Sequence, residues 1–185
     1  QEIILGFGGL DMLRKLGHTD IEIYHMNEGH SALLALGLLE RRLAQSFAGR
    51  VKKVDMDGVR RKCIFTTHTP VPAGHDQFPR KLVEQLLSPE YIALLDESEA
   101  WHGEALNMTY LALRFSGYVN GVAMRHGEVS RGMFPNYVIS AITNGVHAVT
   151  WTSKYFAGLF DKHVPAWRKD NMYLRYAISI PLEEI

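Results

Sequence analysis

Apolar positions recur with a helical period where the chain opens. Ile3, Ile4, Phe7, Leu10 and Leu13 share one face over residues 1–16, and Gly17 stands where such a helix stops. Residues 21–25 are a short apolar run, a strand candidate. Residues 31–47 set Leu33, Leu34, Leu36, Leu38, Leu39 and Leu43 against a wet face of Glu40, Arg41 and Arg42, which predicts an amphipathic helix. Residues 60–66, basic at first and then apolar, read as a second strand. Pro70, Pro72, Gly74 and Pro79 predict a long irregular loop over 70–79. Helices follow over 80–87 and from Pro89, the latter with Ser88 as N-cap and Glu90 in its first turn. Met108, Leu111, Ala112, Phe115, Val119 and Val122 predict one long helix over 107–125. A third strand is expected at 139–142 and a short helix at 152–160, before Pro165. Strands separated by long helical stretches predict an α/β fold, a parallel sheet with crossover helices.

Three strand-like runs end in a polar crest that bears histidine. These are Ile21-Glu-Ile-Tyr-His-Met-Asn-Glu-Gly-His30, Cys63-Ile-Phe-Thr-Thr-His-Thr-Pro-Val-Pro-Ala-Gly-His75 and Ile139-Ser-Ala-Ile-Thr-Asn-Gly-Val-His147. Open α/β sheets bind ligands beyond the carboxyl ends of their strands, so three such crests can converge on one pocket. His, Asn, Thr and Glu suit the hydrogen-bonding of a neutral polyhydroxy ligand better than the binding of a polyanion.

Each motif has a plainer alternative. In the first crest Asn27 can cap the next helix and Gly29 can permit a close turn, leaving Glu28 and His30 solvated. Capping alone does not call for His25 and His30 as well, and the crest is read as functional. In the second, Pro70 and Pro72 hold the loop extended and stiff, a good platform for placing His68. Gly6, Gly8 and Gly9 follow no strand, so close helix packing is the better reading than a phosphate loop. Gly117 and Gly121, four apart, read as a small-residue face of the long helix. Asn120 inside that helix is unfavourable and points to a specific hydrogen bond. Trp151 is assigned to the core rather than to a sugar face.

Lysine plus arginine and aspartate plus glutamate balance at 20 each, which gives no basic surface for nucleic acid or an anionic membrane. No apolar stretch approaches the ~18 residues of a membrane span. The single cysteine, Cys63, sits in an apolar run and reads as a buried thiol of a reducing compartment. Nine histidines raise the question of zinc, and His25, His30, His68 and His75 are the set to consider. No pair lies four apart on a helix around a glutamate, and there is no cysteine cluster, so no metal is assigned. Both ends read as cut, and the chain is expected to be part of a larger protein.

Gln1-Glu2, residues 25–30, residues 65–79, Asn107 with 119–122, residues 126–131 and residues 143–151 together resemble the α-glucan phosphorylases, in the family's order. The tail through Trp167 and Ile178-Ser-Ile-Pro181 resembles the shorter bacterial and archaeal type. The resemblance implies a Rossmann-like sheet within a two-domain GT-B glycosyltransferase, with residues 1–185 forming the later part of the N-terminal domain. It implies reversible phosphorolysis of an α-1,4-glucan to α-glucose 1-phosphate, with retention. The implied cofactor is pyridoxal phosphate, anchored by a lysine of the C-terminal domain. None of the eight lysines here sits in a matching motif, so the chain alone is expected neither to hold the cofactor nor to turn over. The implied whole enzyme is a cytoplasmic homodimer acting on glucan and inorganic phosphate, without nucleic acid or membrane.

The resemblance places Glu28 and His30 near the acceptor glucan, with the Thr67-His68-Thr69 strand end in the same cleft. Asn120 and Gly117 complete the implied substrate-binding set, and no catalytic residue is assigned. Many members carry aspartate where Glu28 stands. The better-known members carry a histidine at the position of Gly117, near the glucose 6-hydroxyl, so Tyr118 or another group would take that contact. Basic residues that serve nucleotide activation in the animal enzymes are unmatched around Arg14-Lys15-Leu16. The competing readings are a nucleotide-sugar GT-B synthase, a non-catalytic glucan-binding module and a zinc hydrolase.

Overall fold

The computed structural model describes residues 1–46 and 50–185 and divides them into two compact units, Gln1–Thr143 and Asn144–Ile185. Among the described residues of the first unit the strands are β1 (Tyr24–Asn27), β2 (Cys63–Thr66), β3 (Gln77–Pro79), β4 (Ala105–Asn107), β5 (Tyr118–Gly121) and β6 (Ser140–Ala141). β1, β2, β5 and β6 form one parallel sheet in that order, and β3 pairs with β4 antiparallel. The helices are α1 (Gly9–Lys15), α2 (Leu33–Ser46), α3 (Lys53–Arg60), α4 (Arg80–Leu86), α5 (Pro89–Glu97), α6 (Met108–Arg114) and α7 (Met124–Met133). Each connection between neighbouring parallel strands carries at least one of them, as an α/β fold requires.

The largest departure from the sequence reading lies at 107–125. The expected single helix is a helix, a strand and a second helix: α6, β5 and α7. Val119 lies in helical register with Phe115, yet it pairs with Phe65 in the sheet. The break comes at Ser116-Gly117. Gly117 donates its N–H to the Cys63 carbonyl at 3.0 Å, and a Cβ there would lie 2.6 Å from the Arg60 carbonyl oxygen. Gly121 ends the strand where a Cβ would press on the first turn of α7, 3.2 Å from the Gly127 nitrogen. The two glycines therefore bracket a strand instead of forming a helix face.

Other boundaries shift. β1 begins three residues later than expected, and β6 keeps only two of the expected four. The 70–79 loop holds a 3-10 turn at Pro72–Gly74 and already pairs as β3 from Gln77. α3 was not expected. Phe47, the expected last residue of the helix at 31–47, lies outside the described residues. The opening helix has a π-type first turn, Ile4–Gly8. A Cβ on Gly6 would lie 2.7 Å from the Leu33 Cβ, which is the close packing read from the sequence.

Met26, Phe65 and Val119 from the sheet, Leu36 and Leu39 from α2, Leu111 from α6 and Phe115 just after it are buried in one continuous core. Cys63 joins it, and burial pushes its thiol up to about 12. The second unit contains α8 (Ala148–Trp151), α9 (Lys154–His163) and a 3-10 run over Asn171–Ser179. Its core is Val164, Trp167 and Ile180. Trp167 donates to Asp161 at 2.9 Å, and Arg168 clasps the same carboxylate at 2.7 and 2.8 Å, which holds its carboxyl down to about 2. Trp151, assigned to the core from the sequence, is 79% exposed, and Trp167 fills that role.

Two outcomes follow from this packing. Gly117→His is expected to destabilise the fold by about 1–3 kcal/mol, read as a lower urea midpoint, because a Cβ at that site collides with backbone. The Cys63 thiol is expected to resist an uncharged alkylating reagent at pH 8 in the native chain and to react fully in denaturant, as mass spectrometry would record.

Candidate functional site

The parallel register brings the carboxyl ends of β1, β2 and β5 side by side. Asn27 pairs with Thr66, and Thr66 with Asn120. A chain of hydrogen bonds crosses these strands. The buried Thr66 hydroxyl donates to Asn120 Oδ1 at 2.9 Å, and Asn120 Nδ2 donates to the Gly121 carbonyl at 3.2 Å. The single hydroxyl proton is thereby used. His25 Nε2, 2.7 Å from the Thr66 oxygen, must supply a proton, which fixes the His25 tautomer with hydrogen on Nε2.

Glu28 follows β1 in a backbone conformation of φ 65° and ψ 173°. That region is almost reserved for glycine, and a glutamate there costs roughly 1–3 kcal/mol. Its surroundings hold it. The Glu28 N–H donates to the Thr66 carbonyl at 2.9 Å. Its carboxylate accepts the backbone N–H of His68 and the Thr69 hydroxyl at 3.3 Å, and His68 Nδ1 lies 3.6 Å away. The strained residue thus clamps the first crest to the second.

A second set of contacts seats the clamp. Asn107 caps α6, its side-chain oxygen accepting from the N–H groups of Thr109 and Tyr110 at 3.0 and 3.1 Å. Gly29 lies flat on that cap, where a Cβ would be 3.0 Å from the Met108 Cβ. The next residue, His30, places Nδ1 2.9 Å from the Asp76 carboxylate and 3.9 Å from Glu2. Glu2, His30 and Asp76 offer donor atoms within 4.8 Å of one another. His75 is buried, with Nδ1 2.8 Å from the Thr109 hydroxyl, its ring edge-on to Phe134 and Nε2 without a partner among the described residues. Burial lowers the His75 pKa, and the Glu28 and Asp76 carboxylates oppose that shift.

Of the sequence-derived residues, the structure gathers Glu28, His68 and Asn120 at one strand-end crest and sets His30 on its flank. It does not bring Gly117 there. Gly117 precedes β5, at the amino end of the sheet, so a histidine in its place would not face the crest. The imidazole beside Glu28 is that of His68. The third expected crest follows β6, which pairs with β5 at the far edge of the sheet. The four histidines considered for zinc do not converge: His25 meets Thr66, His30 meets Asp76, His68 meets Glu28 and His75 meets Thr109. Thr66 and Asp76 carry no expectation from the sequence, and Thr69 enters only as part of the Thr67-His68-Thr69 strand end. The signal for Thr66 and Thr69 was the run Thr66-Thr-His-Thr69, polar directly after an apolar strand.

Exposed His25 and His68 and one anchored carboxylate present donors and acceptors without a cationic cluster, a set that suits hydroxyl groups. The residues present do not fit a Schiff-base cofactor. All eight lysines are solvent-exposed, and among the described residues none of the five in the first unit pairs with Glu28, His68 or Asn120.

The pH dependence of stability follows from His75. An imidazole whose pKa is lowered by folding binds its proton more readily in the unfolded chain. The stability this confers is full above its unfolded value of about 6.5 and falls as the pH drops through and below it. The melting temperature is expected to fall between pH 7 and pH 5, and His75→Gln should flatten that slope, as calorimetry across the range would show.

No protein-family model matches the chain. Among curated proteins it is similar to maltodextrin phosphorylase of Thermococcus litoralis, at 37% identity over 91% of the chain. It is also similar to glycogen phosphorylases of Mycobacterium tuberculosis, at 35% over 83%, and of Aquifex aeolicus, at 30% over 89%. The chain spans about a fifth to a quarter of the length of these relatives, 21%, 20% and 25% respectively. By this similarity, and with a strand-end crest built of the residues that carried the resemblance, the chain is a homologue of one stretch of the α-glucan phosphorylases.

Proposed function

We propose that the chain forms one wall of the glucan cleft in a GT-B α-glucan phosphorylase, which converts an α-1,4-glucan and phosphate reversibly to α-glucose 1-phosphate. The observation that carries this reading is the crest at the ends of β1, β2 and β5, in a chain whose relatives are named maltodextrin and glycogen phosphorylase. Residues 1–185 serve as the later part of the N-terminal domain. The pyridoxal phosphate implied by the family supplies acid–base chemistry through its phosphate group and is held by residues outside this chain. The whole enzyme works as a dimer in the cytoplasm.

In this reading the chain binds and orients. The Glu28 carboxylate, already tied to the His68 N–H and the Thr69 hydroxyl, keeps lone pairs to accept a sugar hydroxyl. Its charge adds to the field that favours an oxocarbenium-like transition state. The His68 ring and His30, on either side of the 68–76 loop, supply further contacts to the acceptor glucan. Thr66 fixes the tautomer of His25 and the amide of Asn120, so the wall is set before a ligand arrives.

Phosphate-dependent release of glucose 1-phosphate from maltoheptaose is the test, run on the longer native protein and on this chain. Turnover is expected in the longer form alone, with pyridoxal phosphate bound. Absence of both from the longer form would overturn the reading and favour a nucleotide-sugar synthase or a binding module. In the active form Glu28→Gln and His68→Ala are each expected to lower kcat/KM about tenfold or more, with the melting temperature retained within a few degrees.

A further inference from the structure

A cavity of about 200 Å3 opens at the amino end of the sheet, beside the first residue of β1 and the residue before β2, away from the crest. Its polar lining is Thr19, Tyr24, Arg41, Arg42, Gln45 and Lys62. Three of these are cations and none is a carboxylate. Arg41 spends one contact on Asp11 at 2.8 Å. Arg42 Nε lies 3.3 Å from Asp55 Oδ1 yet makes no hydrogen bond among the described residues, while Asp55 Oδ2 accepts the Lys52 N–H at 3.1 Å at the start of α3. Lys62 has no ion pair among the described residues. Two carboxylates therefore face three cations, and most of the guanidinium N–H groups remain free to donate.

Gly58 adds an independent observation. It sits inside α3, where glycine is roughly 1 kcal/mol poorer than alanine. A Cβ there would lie 2.5 Å from both Cζ and Nε of Arg42. The bare backbone leaves room for the guanidinium at the cavity wall.

We infer that this cavity is a binding site for a small phosphorylated anion, held by Arg41, Arg42 and Lys62 with Tyr24, Thr19 and Gln45 as neutral partners. Two planar guanidinium forks and an ammonium suit the several oxygens of a phosphate group, and the cavity admits only a small organic body behind it. The site is separate from the crest and does not rest on the phosphorylase reading. α2 links the two, since it starts after His30 and carries Arg41 and Arg42 near its end.

Isothermal titration of the full chain with inorganic phosphate at low ionic strength tests the inference. Saturable binding is expected, weakened about tenfold or more by Lys62→Ala. Gly58→Ala should weaken it similarly by swinging Arg42 away, with circular dichroism showing that the fold is retained: the alanine's better helix propensity offsets part of what the Arg42–Asp55 pair loses. Glu28→Gln, at the crest, should leave the affinity unchanged. No saturable binding by the native chain, or binding unaltered in Lys62→Ala and Gly58→Ala, would overturn the site.

Discussion

The architecture of the crest depends on one residue held against its own preference. Glu28 sits where a side chain is disfavoured, and it stays there because three groups of the neighbouring strand end bind it. The Thr66 carbonyl takes its N–H, while the His68 N–H and the Thr69 hydroxyl take its carboxylate. Release of any one of these would let the backbone relax and carry the carboxylate out of the crest. The strain is local, and the supports come from a strand 40 residues away in sequence, so the carboxylate is placed only once the sheet has formed.

That arrangement explains the tight packing beneath it. Asn107 caps α6, and the capped turn is the floor on which Gly29 lies. The loop after β2 is pinned at one end by Glu28 and at the other by the contacts of His75 and Asp76 with Thr109, Met108 and His30. A loop fastened at both ends loses little further entropy when a ligand binds, which is the physical value of pre-organisation. His75 is the vulnerable member, since it is buried and half-satisfied and burial lowers its pKa.

The two ends of the sheet differ in chemistry. The carboxyl end gathers neutral polar groups and one fixed carboxylate, suited to hydroxyls. The amino end gathers cations around a small cavity, suited to phosphate. A parallel sheet gathers unlike groups at its two ends because every strand runs the same way and every loop of one kind emerges on the same side.

The sequence by itself determined the fold class, the amphipathic α2, the start of α5 at Pro89, though Ser88 makes no side-chain cap bond there, and the polar character of the first two crests. These follow from period, cap chemistry and abrupt changes of polarity, all readable within a dozen residues. Asn120, unfavourable in the helix expected there, lies in a strand instead, and it makes the specific hydrogen bond that its polarity implied. Phe115 and Val119 fit a helical period by coincidence, and only pairing with Phe65 and the approach of Gly117 to the Arg60 carbonyl decided that β5 exists. Tertiary structure alone decided that Gly117 lies at the far end of the sheet from Glu28, that Trp167 and not Trp151 is buried, and that Arg41, Arg42 and Lys62 share a cavity. Such facts depend on contacts between segments tens of residues apart, and a local pattern of polarity carries no information about which segments will meet.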